Sequence, residues 1–336
     1  MAEEQQESRL TVVLALAANL GIALAKTVAA VITGSASMAS EAGHSFADTT
    51  NEVLLLTALR RSARPADRRH PFGHGTERYI WSLLVAVCIF GMGALFAFVQ
   101  GAQALMGEET GERDAFVGYL VLAVSAVLES ISWRQAFRQT REGARENGQS
   151  LVAFLRTTDD PTTKSVLFED SAALIGLVLA AAGLGLHQLT GSAVWDGVAS
   201  LLIGVVLTLA AFLLGRTNLD LLIGRQAKPA ILRGVRRILL AAPEIEALVD
   251  LMTMTVGTGQ VLVCARLDFR DDLGAADVER ACVRLNDELR TAHPDVFEVF
   301  LEPVPRDDAG LREHVIARYG RPPSYWTAGD QPVQPS

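Results

Sequence analysis

Cysteine is nearly missing from this 336-residue chain: Cys88, Cys264 and Cys282 are scattered and odd in number. No disulfide framework or thiolate metal centre follows from so few, so far apart. Aromatic residues are also scarce, at 6%, yet apolar residues reach 50%, too apolar a mix for an ordinary soluble enzyme. The HExxH spacing of helix-borne zinc hydrolases is absent. An excess of positive charge is lacking too: the formal net charge of −8 argues against a nucleic-acid partner. Finally, the opening MAEEQQES has neither a basic n-region nor a small-residue cleavage site, so the apolar stretch from Leu10 is expected to be a retained span.

What is present is long hydrophobic runs. Segments of about 20 apolar residues can be read at Leu10–Ile32, Met38–Leu59, Tyr79–Leu105, Phe116–Ile131, Ser165–Leu186 and Val194–Leu214, giving six expected transmembrane helices. The segment between the second and third carries Arg60, Arg61, Arg64, Arg68, Arg69 and Arg78, and that between the fourth and fifth carries Arg134, Arg138, Arg141, Arg145, Arg156 and Lys164. The other connections, TGSAS, GEETGERD and HQLTGSA, are short and nearly free of basic residues. The positive-inside rule therefore places both termini in the cytoplasm. The expected location is the plasma (cytoplasmic) membrane, with the lipid bilayer as a partner.

Against this background the stretch SEAGHSFADTTNEV, Ser40–Val53, stands out. It puts Glu41, His44, Asp48, Asn51 and Glu52 inside the second span, with His44, Asp48 and Asn51 on one helical face. Charge there costs several kcal/mol in rough terms and marks function by default. A bound cation is the simplest compensation; pairing with polar residues of neighbouring helices is the structural alternative. The fifth span supplies a counterpart in Glu169 and Asp170, about two turns from a helix start marked by Asp159, Asp160 and Pro161. Adjacent residues lie about 100° apart on a helix, so only one is expected to face His44 and Asp48, and Asp170 is the choice. Asn19 and Lys26 of the first span are expected to face neighbouring helices. Glu129 of the fourth serves either a proton pathway or a pair with Arg134, and Asp196 of the sixth is expected to cap a helix N-terminus. Gly91, Gly93 and Gly101 of the third read as packing positions.

The loop HPFGHG sets Asp67, His70 and His74 at steps of three and four, offering one carboxylate and two imidazoles to a divalent metal. Alternatively the histidines pair locally, since the flanking arginines disfavour a cation. Beyond Arg216 the pattern changes to helix, two strands around Gly257 and Gly259, helix and strand, a small α-β-β-α-β domain. The expected division is a cytoplasmic tail over 1–9, the membrane domain over 10–216, the cytoplasmic α/β domain over 226–303 and a tail over 304–336, comprising a short helix and a frayed end.

Six spans, the run GSASMASEAGHSFADTTN, the following HPFGHGTERYIWSLLVA and the C-terminal α-β-β-α-β module together resemble the cation diffusion facilitator family, over residues 10 to about 303. The variant SVLFEDSAALIG is similar to the branch that contains zinc transporter nine. The resemblance implies a homodimeric exporter of divalent metal, zinc foremost, in exchange for protons. It also implies a tetrahedral site from two pairs of residues on spans two and five, and a metallochaperone-like soluble domain that contributes to dimer contact. The span-two pair falls on His44 and Asp48, and the span-five pair on Val166 and Asp170. Val166 supplies no donor, so Glu169, Asn51 or water has to complete the set. An oxygen in place of imidazole shifts preference towards harder ions such as manganese, iron or cobalt. Asp67, His70 and His74 match an auxiliary loop site of bacterial relatives. No permanent cofactor is expected; the metal is cargo, and the soluble domain offers only His293 and His314.

The ligands carry the coupling chemistry. Imidazole and carboxylates must be deprotonated to hold a divalent metal, so metal and protons compete. A passive channel is the weaker reading, because conduction needs weak binding, and an intramembrane metalloenzyme weaker still.

Overall fold

The computed structural model describes residues 2–107, 115–146, 148–320 and 323, in two compact units that divide between Leu222 and Ile223. The GEETGERD connection and the end of the chain beyond 323 lie outside the described residues.

The first unit is helical: α1 Ala2–Thr33, α2 Ala36–Ser62, α3 Glu77–Cys88, α4 Leu95–Met106, α5 Ala115–Glu146, α6 Leu151–Thr157, α7 Pro161–Thr190 and α8 Val194–Ile223. A single π-turn, Ile89–Ala94, joins α3 and α4 into one helix of 30 residues. At 1.5 Å per residue, 30 residues reach about 45 Å, more than the hydrocarbon thickness. Among the described residues four helices are long and apolar enough to cross a membrane: Glu77–Met106, Ala115–Glu146, Pro161–Thr190 and Val194–Ile223. In α1 the apolar described stretch is the shorter Asn19–Thr33, and α2 stays outside the four. Its polar cluster lowers its hydropathy.

Local chemistry sets the ends of these helices. Gly34 closes α1 with φ +67°, and Ser35 caps α2 by accepting the Met38 N–H. Asp160 caps α7 by accepting the Thr162 N–H, with Pro161 in the first turn where no backbone donor is needed, and Gly191 closes the other end at φ +69°. The fourth span departs from its expected end at Ile131. Helix α5 continues to Glu146 because Arg, Gln, Glu and Ala are good helix formers, and Arg138 pairs with Glu142 one turn on at 3.0 Å. Arg134, Arg138, Arg141 and Arg145, expected in the connecting segment, therefore ride on α5.

The bundle packs through small residues. Its core sets Ala29, Ala94, Ala97, Ala172, Ala180 and Ala210 among Leu177, Ile203, Leu207 and Leu214. Gly101 of α4 and Gly197 of α8 meet backbone to backbone, and a methyl group added to either lands against the other's carbonyl. Gly93 packs on Leu207, whereas nothing lies near the open side of Gly91, which borders an apolar cavity between α1, α2 and α4. Gly91 thus departs from the expectation that all three glycines of this span serve helix packing.

The second unit holds α9 Pro229–Ala241, β1 Ile245–Gly257, β2 Gln260–Phe269, α10 Ala275–Ala292, β3 Val296–Pro303 and α11 Ala309–Tyr319. Its three-stranded sheet runs β1-β2-β3, with β1 antiparallel and β3 parallel to β2. Strand β2 alternates buried and half-exposed residues, and its inner set Val261, Val263, Ala265 and Leu267 packs with Val235 and Leu239 of α9 and Leu285 and Leu289 of α10. Helix α11 is tied to the sheet: Arg318 donates to the fully buried Asp250 carboxylate at 2.6 Å, and the Tyr319 hydroxyl donates to it at 3.2 Å.

Candidate metal site

Helix α2 brings its polar residues to two different surroundings. Towards its N-terminus Glu41 is fully buried and accepts from the Lys26 ammonium of α1 at 3.0 Å, itself fully buried. Its carboxylate lies against Gly176 of α7, where any side chain would collide with it. Towards the other end Glu52 accepts from the Asn19 amide at 3.1 Å. For these two carboxylates pairing with neighbouring helices accounts for the burial.

Between them, Asp48 opens onto a cavity of about 310 Å³. It is lined from α1 by Asn19, from α2 by Asp48 and Glu52, from α5 by Glu129 and Ser132, and from α7 by Val166, Glu169 and Asp170. The space equals roughly ten waters at liquid density, ample for a partly hydrated ion. The Asp48 carboxylate lies within electrostatic range of Glu169, Glu129 and Asp170. Its Oδ1 and Oε1 of Glu169 have no hydrogen-bond partner, although Glu169 is only 9% exposed.

Glu169 and Asp170 both line this cavity, which corrects the expectation that only one faces it. The cavity is a wedge between two neighbours of α7, so directions about 100° apart both enter it. Glu169 faces Asn51 of α2, and Asp170 accepts from the Ser132 hydroxyl of α5 at 2.8 Å. His44 sits one turn deeper on α2, 1% exposed, with Nδ1 3.4 Å from Asp48 Oδ1 and neither ring nitrogen in a hydrogen bond of normal geometry. Asn51 is fully buried and likewise closes no such bond. His44, Asp48, Glu169 and Asp170 are thus neighbours, but their donor atoms do not converge within 4.8 Å.

Among the described residues the group that does converge is in the loop: Asp67, His70 and His74, all within 4.8 Å. Asp67 Oδ2 lies 3.2 Å from His74 Nε2, and Asp67 Oδ1 lies 3.3 Å from His70 Nδ1. The His74 ring is oriented from behind by Glu77, whose Oε1 is 2.8 Å from Nδ1, an arrangement familiar in metal-binding imidazoles. Backbone N–H of His70, then the His74 ring and the N–H of Arg69, hold the Asp67 carboxyl well below the usual range. Glu77 first, then Asp67, raise the His74 imidazole above its ordinary value. The flanking arginines are partly neutralised: Arg61 lies 3.6 Å from Glu77, and Arg78 donates to Asp160 at 2.8 Å. The expected positive field against a cation is weaker than the bare count of arginines.

Residues 12–223 match the model of the cation efflux transmembrane domain. The chain belongs to the cation efflux family. This cation efflux protein is 38% identical over 244 residues to the mitochondrial proton-coupled zinc antiporter of Xenopus laevis, an overlap of 73% of this chain and 44% of the relative. The Homo sapiens protein of that name is 34% identical over 282 residues, 82% of this chain and 49% of the relative. The manganese efflux system protein MneP of Bacillus subtilis is 23% identical, over 89% of this chain and 97% of its own length. The chain spans about half the length of the zinc antiporters it matches. The cation efflux family is one of membrane transporters, not of enzymes.

Two polar residues of this cation efflux protein differ from their sequence reading. Asp196 of α8 does cap a helix N-terminus, but that of α2: its carboxylate accepts the N–H groups of Ala36 and Ser37 and the hydroxyls of Ser35 and Ser37. Glu129 makes no ion pair with Arg134 among the described residues and lines the α2/α7 cavity instead. Its spacing of three to Ser132 places both on one face of α5, a signal available in the sequence.

Proposed function

We propose that this chain is a secondary active exporter of divalent metal cations, zinc foremost, that releases its ion from the cytoplasm in exchange for protons. The observation that carries the reading is the cavity in which Asp48 of α2 meets Glu169 and Asp170 of α7. The transport ligands are Asp48, Asp170 and His44, with Glu169 and Asn51 as candidates for the position that Val166 leaves without a donor. The cavity lies in the halves of α2 and α7 nearest the arginine-bearing loops, which supports access from the cytoplasm. Protonation of these groups expels the ion, and deprotonation readmits it. The relatives named as proton-coupled zinc antiporters support both halves of this exchange. Asp67, His70 and His74 form an auxiliary loop site for the same class of ion.

The proposal extends to six spans, both termini cytoplasmic, in the plasma membrane, and to a homodimer aided by the metallochaperone-like α-β-β-α-β unit at 226–303. Manganese is the second reading for the cargo, favoured by the oxygen-rich cavity around Val166 and by the relative named for manganese efflux.

Proteoliposome flux of zinc with and without an imposed pH gradient tests the function. Gradient-dependent uptake supports the exchanger, gradient-insensitive flux indicates a channel, and absence of flux removes the transport reading. Asp48→Ala and Asp170→Ala should each abolish uptake while gel filtration stays that of the parent; wild-type flux in either variant takes that residue out of the site.

A further inference from the structure

Of the carboxylates within the apolar helices, the half-buried Glu129 is the one for which neither helix packing nor the α2/α7 ligand set gives a role. Glu41 is held by Lys26 and Glu52 by Asn19, whereas Glu129 lines the cavity together with Asp48, Glu169 and Asp170. One turn along the same face of α5, Ser132 donates to Asp170 Oδ2 at 2.8 Å, so this face is seated against the ligand-bearing part of α7. The Asp48 and Asp170 carboxyls are both within electrostatic range of Glu129.

Besides Glu52, which Asn19 holds, four carboxyl groups from three helices surround one cavity and repel one another unless protons or a cation neutralise them. The nearest lysine is already committed, its ammonium 3.0 Å from Glu41. Two further atoms point to a ligand: among the residues that line the cavity, Glu169, more than nine-tenths buried, and Asp48 each keep a buried oxygen, Oε1 and Oδ1, without a hydrogen-bond partner. Val166, one turn from Asp170 on α7, faces the same space with an isopropyl group. His44, Asp48 and Asp170 alone are thus one short of a tetrahedral set.

We propose that the transported ion is held by three helices, with Glu129 of α5 as an oxygen ligand that makes up the donor number Val166 leaves incomplete. The proposal rests on the exporter reading above and adds a specificity-determining residue to it. A set this rich in oxygen admits manganese alongside zinc, because carboxylates suit harder ions than imidazole does. Ser132 acts through Asp170, as a positioning residue.

The test uses the full chain with His70→Ala and His74→Ala, so that the loop contributes no binding, and titrates it calorimetrically with zinc and with manganese. Glu129→Gln, which keeps the shape and removes the charge, should weaken both ions by at least about tenfold, as losses around metal ligands do. Glu129→His should keep zinc while manganese falls away, raising the zinc-to-manganese affinity ratio about tenfold or more. A purely structural Glu129 would not produce that shift. Parental affinity in Glu129→Gln, or an unchanged ratio in Glu129→His, overturns the proposal. Should the glutamine variant lose its monodisperse gel-filtration peak, Glu129→Asp takes its place, and parental affinity there is equally fatal. The failure of the two readings is separable. No zinc binding by the parent sinks the exporter as well, whereas binding lost in Asp170→Ala but kept in Glu129→Gln sinks only the third helix.

Discussion

At Val166 an isopropyl group lines the α2/α7 cavity, and on the exporter reading proposed above the choice of cargo turns on the imidazole it replaces. Val166→His should raise preference for zinc over manganese, read as the ratio of the two affinities on purified protein; an unchanged ratio would remove Val166 from the selectivity argument. The polar positions themselves are legible in the sequence, because charge is so costly in hydrocarbon that each carboxylate in a span announces itself. Their partners are not legible. Steps of three and four place His44 and Asp48 on one face of α2, but nothing local says that Glu41 meets Lys26, that Glu52 meets Asn19, or that Glu129 shares a cavity with Asp170. Those pairings are settled by helix packing across long sequence separations.

At the scale of elements, α2 is anchored from outside itself at its N-terminal half. The Asp196 carboxylate of α8 takes up donors at its first turn that would otherwise be unpaired. Asp196→Ala should therefore destabilise the protein by roughly 1–2 kcal/mol, the upper part of the range for lost caps, measured as a lower midpoint in thermal unfolding in detergent. An unchanged midpoint would mean that other groups take over these donors. The Lys26–Glu41 pair makes a sharper case. Lys26→Met alone strands a buried carboxylate beside Gly176 and should cost about 3–5 kcal/mol, whereas Lys26→Met with Glu41→Leu should cost far less. Equal loss in the single and double variants would show that the charges do not act as a pair. Helix identity is readable from apolar runs and from the Asp160–Pro161 start, but helix length is not. Apolarity stops near Ile131, whereas α5 runs on to Glu146 with a narrow buried stripe of Ala136, Thr140 and Ala144 and the Arg138–Glu142 pair on its surface. The π-turn at Ile89–Ala94 leaves no signal beyond two glycines.

For the molecule as a whole, the two units are built on different solvents. The first buries small residues and turns large apolar ones outward, with Val178, Phe212 and Leu209 well exposed, as a bilayer-facing bundle does. The second has a conventional core closed by α9, α10 and one face of the sheet. Residues 223–320 expressed alone should therefore fold, giving dispersed amide resonances and a single cooperative melting transition. A collapsed spectrum would show that this core depends on the helices before it. The α-β-β-α-β order is legible because alternating and amphipathic patterns are strong in this half, and the turn between β1 and β2 falls at Gly257 and Gly259 as the sequence leads one to expect.

The bond from Arg318 to Asp250 decides where such a fragment can stop. A version trimmed after Pro303, where the last strand ends, would take away Arg318 and leave the Asp250 carboxylate in the middle of β1 with only the more distant Arg266, 3.8 Å away, as counter-charge. The first stretch beyond the sheet is thus not an appendage to be discarded, and protein shortened there should misfold or aggregate while the sheet sequence itself is intact.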